Sequence, residues 1–282
     1  MRSYHITQIM LGCLLCLVAV TTGCCIQIGC LGRAKYERTE RLSAPMEAGG
    51  TIDVETSYGW ITVSGGDVKE CRVTAEICAQ APSEEEAQEL AEQVKIEIET
   101  LGKTMKIRAK KPRLKNNRSI SVDFDITVPK ETSVECESSY GSIKVVDIEG
   151  DVKGYTSYGS INTNNTNGSV DLDTSYGGIH CEAITSDDIR AGSSYGSIDI
   201  ACSGLCPADV VAKVRTSYGS IDFGVPAGFA GEVEMSTSYG SIKTELPITM
   251  TGELSKKRIK GTVGKGEGRL ELKTSYGSIK IR

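Results

Sequence analysis

Histidine is almost absent from this sequence of 282 residues, in which only His5 and His180 occur. Their scarcity excludes most catalytic sites that move protons through histidine and most histidine-rich zinc sites. Aromatic residues are also few, at 5%, with one tryptophan, three phenylalanines and eleven tyrosines. The core must therefore be filled by Ile, Val, Leu and Thr rather than by aromatic rings.

A basic surface is missing as well. Lys and Arg total 32 against 37 Asp and Glu, which gives a net charge of −5 and a pI near 5.3. This balance argues against nucleic acid as a partner, since that mode of binding needs a concentrated positive surface. Charged residues make up 24% of the chain, a value typical of globular proteins, and wholesale disorder is excluded.

Residues 1–23 have the pattern of an export signal. Arg2 supplies a positive charge, and Ile9–Val20 is an apolar run of the length of a signal core, short for a membrane span. Gly23 then precedes Cys24, an ending that resembles the lipobox of bacterial lipoproteins. That resemblance implies lipid attachment at Cys24. An ordinary cleaved signal and an uncleaved anchor are the alternatives, and all three place the body of the chain outside the cytoplasm.

Eleven cysteines are present, and export makes disulfides permissible. The close pair Cys202 and Cys206 is the candidate for a local disulfide, with two free thiols as the alternative. The spacing is not that of a zinc ribbon, and no second pair or histidine completes a tetrahedral site. We therefore expect no metal and no cofactor.

The chain is dominated by the motif Ser-Tyr-Gly-x-Ile, which occurs eight times. So many copies of one motif indicate a repeat architecture. The tyrosines of the motif are Tyr58, Tyr140, Tyr158, Tyr176, Tyr195, Tyr218, Tyr239 and Tyr276.

Apolar residues alternate on both sides of each Tyr-Gly step. They stand six and four residues before the tyrosine, and an isoleucine stands three residues after it in every copy. This period of two predicts a strand, a tight corner and a second strand, and the one-residue shift at the glycine predicts a turn or bulge with positive φ. The isoleucines are Ile61, Ile143, Ile161, Ile179, Ile198, Ile221, Ile242 and Ile279.

A second corner, rich in turn-forming residues, lies between successive tyrosines, as at Asn167-Gly168-Ser169. Each unit of 18–19 residues in the central copies cannot bury its apolar face alone, but stacked copies form a continuous core. We therefore predict an all-β fold, either a β-solenoid resembling a single-stranded β-helix or a stacked β-sandwich of repeated short strands.

One helix is predicted within an insertion of the first repeat. Ser83 followed by Glu86 forms a capping box, and the helix is expected over residues 84–95. Alternating strands are expected at Ile96–Glu99 and Met105–Ala109.

Two further segments interrupt the repeat. Arg108–Arg118 is basic and is interpreted as a solvated loop, with contact to anionic lipid or glycan as the alternative. Pro247–Gly268 is interpreted as a mobile hairpin or loop. The predicted organisation is a signal at 1–23, a linker at 24–49, a first β rung with the helix-containing insertion at 50–130, and the repeat domain at 131–282.

Four stretches of the chain resemble one family. They are Val122–Pro129, which ends in Val-Pro, then Val134–Ile143, Ile148–Val152 and Gly264–Ile279. They resemble the bacterial "putative adhesin" β-strand-repeat family of unknown function, over about residues 50–282. That resemblance implies an exported, non-enzymatic envelope or surface protein, and it provides no catalytic residues to transfer.

Three classes of function remain in view. A β-helix polysaccharide-active enzyme would need an asymmetric acidic and basic cluster, whereas Asp171, Asp173 and Asp187–Asp188 face outward in the repeat register. A binding scaffold would use the eight motif tyrosines as an exposed binding ladder on envelope glycan or a surface protein, although stacked tyrosines with a packing role fit the pattern too. The third is an extracytoplasmic accessory domain of an envelope-stress or regulatory system. Partners would include the membrane, through the lipid, and other copies through the solenoid ends.

Overall fold

The computed structural model describes residues 19–21, 33–250, 255 and 257–282. The predicted export signal, apart from Ala19–Thr21, and Cys24 lie outside the described residues. Within the described ranges the chain forms one helix and 24 strands, and no helix there is long and apolar enough to cross a membrane. The elements are β1 Ala19–Thr21, β2 Ala34–Pro45, β3 Thr51–Thr56, β4 Ile61–Gly66, β5 Glu70–Ala81, α1 Glu84–Gln93, β6 Lys95–Leu101, β7 Thr104–Lys110, β8 Ser119–Pro129, β9 Ser133–Ser138, β10 Ile143–Ile148, β11 Val152–Thr156, β12 Ile161–Thr166, β13 Val170–Thr174, β14 Ile179–Ile184, β15 Asp188–Ser193, β16 Ile198–Cys202, β17 Val211–Thr216, β18 Ile221–Gly224, β19 Gly231–Thr237, β20 Ile242–Thr244, β21 Thr249–Met250, β22 Arg258–Val263, β23 Gly268–Thr274 and β24 Ile279–Ile281.

The strands form two twelve-stranded sheets, and each repeat contributes one strand to each sheet. The order in the first sheet is β1-β2-β5-β8-β4-β10-β12-β14-β16-β18-β24-β20, and in the second it is β21-β22-β19-β23-β17-β15-β13-β11-β9-β3-β7-β6. Pairing between successive repeats is parallel and in register, as between β11 and β13. The all-β solenoid prediction is confirmed, and one repeat is called a rung from here on.

The core lies between the sheets and follows the predicted alternation. The residues six and four positions before each tyrosine are all buried, as are seven of the eight motif isoleucines. Ile242 is half-buried because its strand, β20, is the edge of the first sheet. Burial of each large aliphatic side chain contributes about 1.5–3 kcal/mol to the free energy of unfolding. The stack as a whole therefore stabilises rungs that could not fold singly.

The predicted helix is confirmed as α1. The Ser83 hydroxyl accepts a hydrogen bond from the Glu86 N–H at 3.3 Å, as expected of an N-cap, while the Glu86 carboxylate pairs with Arg118. The buried face of α1 includes Leu90 and lies against β2 and β5. The two strands expected after the helix are confirmed as β6 and β7.

Two expectations require correction. The segment 24–49, predicted as a linker, contains β2, which pairs with β5 over its whole length. The strand forms because alternate side chains of β2, among them Leu42 and Ala44, are buried in the core. The basic stretch is not all loop, since Arg108–Lys110 completes β7; Arg108 binds Asp53 at 2.7 Å, and this ion pair offsets the cost of its partial burial.

The order of the rungs departs from the order of the sequence near the C-terminus. Strands β21 and β22 form the hairpin expected in Pro247–Gly268, and β22 pairs antiparallel with the outer edge of β19. The chain then returns, so that β23 lies between β17 and β19. The rung of Tyr276 is consequently inserted between those of Tyr218 and Tyr239.

Candidate functional site

The eight motif tyrosines form one continuous stack along a corner of the solenoid, which we call the tyrosine ladder. Adjacent ring centroids are 4.6–5.1 Å apart and the planes are within 7° of parallel. The spacing matches the distance between paired strands, so each ring lies over the ring of the next rung. The order along the ladder is Tyr58, Tyr140, Tyr158, Tyr176, Tyr195, Tyr218, Tyr276 and Tyr239.

Backbone hydrogen bonds continue through the corner and hold the rings in register. The N–H of each tyrosine after Tyr58 donates to the carbonyl of the motif serine in the neighbouring rung, as Tyr176 does to Ser157 at 2.9 Å. Just past the corner, the Ile161 N–H donates to the Gly178 carbonyl of the next rung at 3.0 Å. The ladder is therefore fixed by the backbone as well as by ring contact.

A second row of polar groups lies inside the corner. Two residues before each tyrosine stands a buried Thr or Ser, and from the second rung on its hydroxyl donates to the carbonyl of the motif glycine in the neighbouring rung, as Thr174 does to Gly159 at 2.9 Å. We call this row the hydroxyl ladder. The sequence has a Thr or Ser at this position in every copy, but its role depends on contacts between rungs. Its members are Thr56, Ser138, Thr156, Thr174, Ser193, Thr216, Thr274 and Thr237.

The motif glycines are required for a reason other than the predicted one. Of the eight, only Gly59 has a positive φ, of 130°. A Cβ on Gly177 would lie 1.8 Å from the carbonyl oxygen of Gly159, and the other six meet a neighbouring motif glycine at 1.7–2.0 Å. The prediction of positive φ is therefore wrong for seven copies, and close approach of neighbouring corners is the physical cause.

The tyrosine ladder is half-exposed, at 50–67% for each residue. Because both faces of each interior ring are covered by its neighbours, the exposed parts of the interior tyrosines are the ring edges and the hydroxyl groups. The outer ring Tyr239 has the ammonium of Lys257 5.4 Å from its centroid, and that ammonium also donates to the Ser238 carbonyl. Sugar rings therefore cannot stack on the faces of the interior tyrosines, whereas contact through edges and hydroxyls is open.

Serines border the tyrosine ladder on both sides. One lies directly before each tyrosine, and another lies two residues after six of them, with Trp60 and Gly178 in the remaining two copies. In this second row, serine hydroxyls bond between rungs, as Ser241 and Ser278 do at 3.1 Å. The corner is thus a straight strip of hydroxyl groups and aromatic edges about 34 Å long, a length set by seven steps of one strand spacing.

Cys202 and Cys206 lie together next to the second corner. Both are free thiols in the structure, and the Cys206 sulfur is 3.2 Å from the Ser186 carbonyl oxygen. The interaction between the two neighbouring thiols raises the pKa of Cys202 and lowers the pKa of Cys206. The disulfide between them stays a prediction.

The acidic residues considered for an enzyme lie on the outer surface of neighbouring rungs. Asp171 and Asp173 share the outer face of β13, where partial burial and the charge of Asp171 raise the pKa of Asp173. Asp188 binds Arg190 at the second corner, at 2.7 Å. In the part of the chain that the structure describes, no cluster of three or more potential ligands could hold a metal ion.

Residues 116–282 match the family described as Toastrack DUF4097. The chain belongs to the Toastrack DUF4097 family. The match covers more than half of the chain and all motif copies except the first, so the motif corners are part of the Toastrack repeat fold in this protein. A comparison with curated proteins found no match.

Several solved structures resemble this Toastrack chain over most of its length. A "putative cell adhesion protein" from Clostridium sporogenes ATCC 15579 is 14% identical, with 86% of this chain and 99% of that chain covered and a TM-score of 0.38. A "putative adhesin" from Bacteroides fragilis NCTC 9343 is 13% identical, with 87% and 97% covered and a TM-score of 0.39. A "putative lipid binding protein" from Parabacteroides distasonis ATCC 8503 is 14% identical, with 86% and 96% covered and a TM-score of 0.38.

Proposed function

We propose that this Toastrack protein is a non-enzymatic lipoprotein of the cell envelope or surface, anchored through Cys24, that binds an extended envelope glycan along the tyrosine ladder. The observation that carries the proposal is the half-exposed strip of eight tyrosines, bordered by serines, on a rigid corner. Similar folds described as adhesins agree with a binding role.

The chemistry of the strip favours a polyhydroxylated linear ligand. Phenol and serine hydroxyls both donate and accept hydrogen bonds, as sugar hydroxyls do. The interior ring faces are occupied, so affinity would come from many equal edge and hydroxyl contacts rather than from one deep pocket. Such weak contacts on one rigid support add through effective concentration once the first has formed.

Catalysis has no comparable support. A catalytic site needs one asymmetric group of residues, whereas the strip repeats the same residues at each rung. The tyrosines also have a packing role, since stacked aromatic pairs contribute about 0.5–1.5 kcal/mol each beyond area burial. An experiment must therefore separate loss of binding from loss of fold.

Phenylalanine makes that separation, because it keeps the ring and removes the hydroxyl. We would replace Tyr140, Tyr158, Tyr176 and Tyr195 together by Phe and, in a second variant, by Ser. Retention on purified envelope glycan and thermal melting would be measured on the same preparations. The Phe variant should melt close to the wild type and lose at least tenfold in glycan binding.

The Ser variant is expected to lose both properties, and Tyr195→Ser alone should weaken binding only modestly. Equal glycan binding by the wild type and the Phe variant would show that the tyrosine hydroxyl groups do not take part in recognition. The role of the tyrosine ladder would then be packing. Absence of binding by the wild type to every envelope fraction would refute the adhesion proposal.

A further inference from the structure

A second exposed feature lies beside the Tyr58 end of the tyrosine ladder, where β8, β5 and β2 continue the first sheet and β7 and β6 continue the second. The first motif copy has Trp60 where most others have serine, and this residue, the only tryptophan in the chain, is 40% exposed. The loop between β7 and β8 contains Leu114, which is 42% exposed between Arg113 and Lys115. We call Trp60 and Arg113–Lys115 the amphipathic tip.

Contacts place the loop and the first corner side by side. Lys111 donates to the Tyr58 carbonyl at 3.5 Å, and Asp123, within β8, accepts from the Trp60 N–H at 2.9 Å. Burial lowers the pKa of Lys111, and the nearby negative charge of Asp123 opposes that shift. The two parts of the tip thus belong to one region of the surface.

The cations of the tip are available for an outside partner. Among the described residues, neither Arg113 nor Lys115 has an acidic group within ion-pair distance, whereas Arg118 is held by Glu86. Glu84 and Glu85 precede Glu86 in the first turn of α1, so acidic charge borders the region. Arg113 and Lys115 therefore provide the positive charge beside the exposed apolar side chains.

The described structure resumes next to this loop at Arg33, after the undescribed residues 22–32. Arg33 donates to the Asn117 side chain at 2.7 Å. Nine residue steps separate Arg33 from Cys24, a reach of about 30 Å at full extension. A lipid on Cys24 would hold the Asn117 end of this loop within about that distance of a bilayer.

We propose that the amphipathic tip docks on the anionic headgroups of the membrane that carries the protein. Basic residues are attracted to anionic headgroups, while Trp and Leu favour the boundary between headgroups and acyl chains. The proposal rests on the lipid anchor of the proposed function for its location, but the contact itself is independent of lipidation. Docking here would place the Tyr58 end of the tyrosine ladder nearest the membrane.

Trp60 provides a direct measurement because its fluorescence is the only tryptophan signal of the chain. The full chain carrying Cys24→Ser would be titrated with vesicles of phosphatidylcholine alone or mixed with phosphatidylglycerol. We expect a blue shift with the anionic vesicles only, and its loss as salt is raised, because screening weakens the attraction. An unchanged spectrum with anionic vesicles would overturn the proposal.

Two charge-reversal variants test the site. Arg113→Glu with Lys115→Glu should require at least tenfold more anionic lipid for half of the shift. The matched control, Lys144→Glu with Lys213→Glu, makes the same change of net charge at exposed positions of β10 and β17 and should behave as the parent chain. Equal effects of the two variants, or the same blue shift with a soluble polyanion in place of vesicles, would overturn docking on a membrane.

The result is separable from the proposed function. Glycan retention by the tyrosine ladder and lipid labelling of Cys24 are measured without reference to Trp60. Circular dichroism melting of both double variants confirms that the compared chains are folded. Loss of docking with intact glycan binding would therefore refute the tip alone.

Discussion

Replacing Thr174 by valine tests whether the hydroxyl ladder joins neighbouring rungs. In the structure the Thr174 hydroxyl donates to the Gly159 carbonyl at 2.9 Å and accepts from the Gly177 N–H at 3.2 Å. Thr174 is 1% exposed, so water cannot replace either bond. Valine has nearly the same shape and leaves two backbone groups without this partner.

The expected cost follows from those two groups. A buried donor or acceptor left unsatisfied costs about 1–3 kcal/mol, and the extra apolar methyl of valine offsets part of the sum. A net destabilisation of about 2–4 kcal/mol is expected. For a chain of this size that lowers the melting temperature by roughly 4–8 °C.

Thr174→Ser is the matched control, since it keeps the hydroxyl and removes one methyl group at a cost of about 1 kcal/mol. Serine already occupies the equivalent position at Ser193, where it makes the same two kinds of bond. Melting followed by circular dichroism should rank wild type, Ser and Val in falling order. A valine variant as stable as the serine variant would show that the hydroxyl bonds contribute nothing net.

Two further predictions concern the core and the anchor. Ile179→Asp places a carboxylate at a position that is 1% exposed and should cost more than about 4 kcal/mol, so an unchanged melting temperature would contradict the register of the rungs. Cys24→Ser should abolish metabolic labelling by a palmitate analogue, whereas equal labelling of the variant would move lipid attachment to another cysteine and no labelling of the wild type would refute the lipoprotein interpretation.

Alternation in the sequence was sufficient to predict the solenoid because burial in a two-sheet stack depends only on strand parity. It predicted that Ile179 and its equivalents face inward, while a separate signal, the capping pattern at Ser83, located α1. It could not predict the order of the last rungs, because Tyr276 and Tyr239 carry the same motif and only the return of the chain after β22 places one before the other.

The corner was harder to predict because its constraints act between rungs. A glycine after tyrosine suggests positive φ when a single turn is considered, yet Gly177 is required by the carbonyl of Gly159 in another rung. Parity likewise left open whether the tyrosines are buried or exposed. In the structure the tyrosines are partly buried and partly exposed, since their ring faces are covered by stacking and their ring edges are exposed to solvent.

The tyrosine ladder places packing and recognition on different parts of the same side chain. Stacking uses the ring faces, and phenylalanine would stack as well, because a hydroxyl adds no face area. The hydroxyls instead hydrate an aromatic strip that would otherwise be an exposed apolar patch about 34 Å long, and the same groups are the donors and acceptors of the proposed glycan site. The fourfold Phe variant therefore distinguishes two reasons for tyrosine at all eight corners. Self-association of the variant without loss of glycan binding would indicate that the hydroxyls serve hydration alone. Loss of glycan binding by a variant that stays monomeric would indicate that they serve recognition.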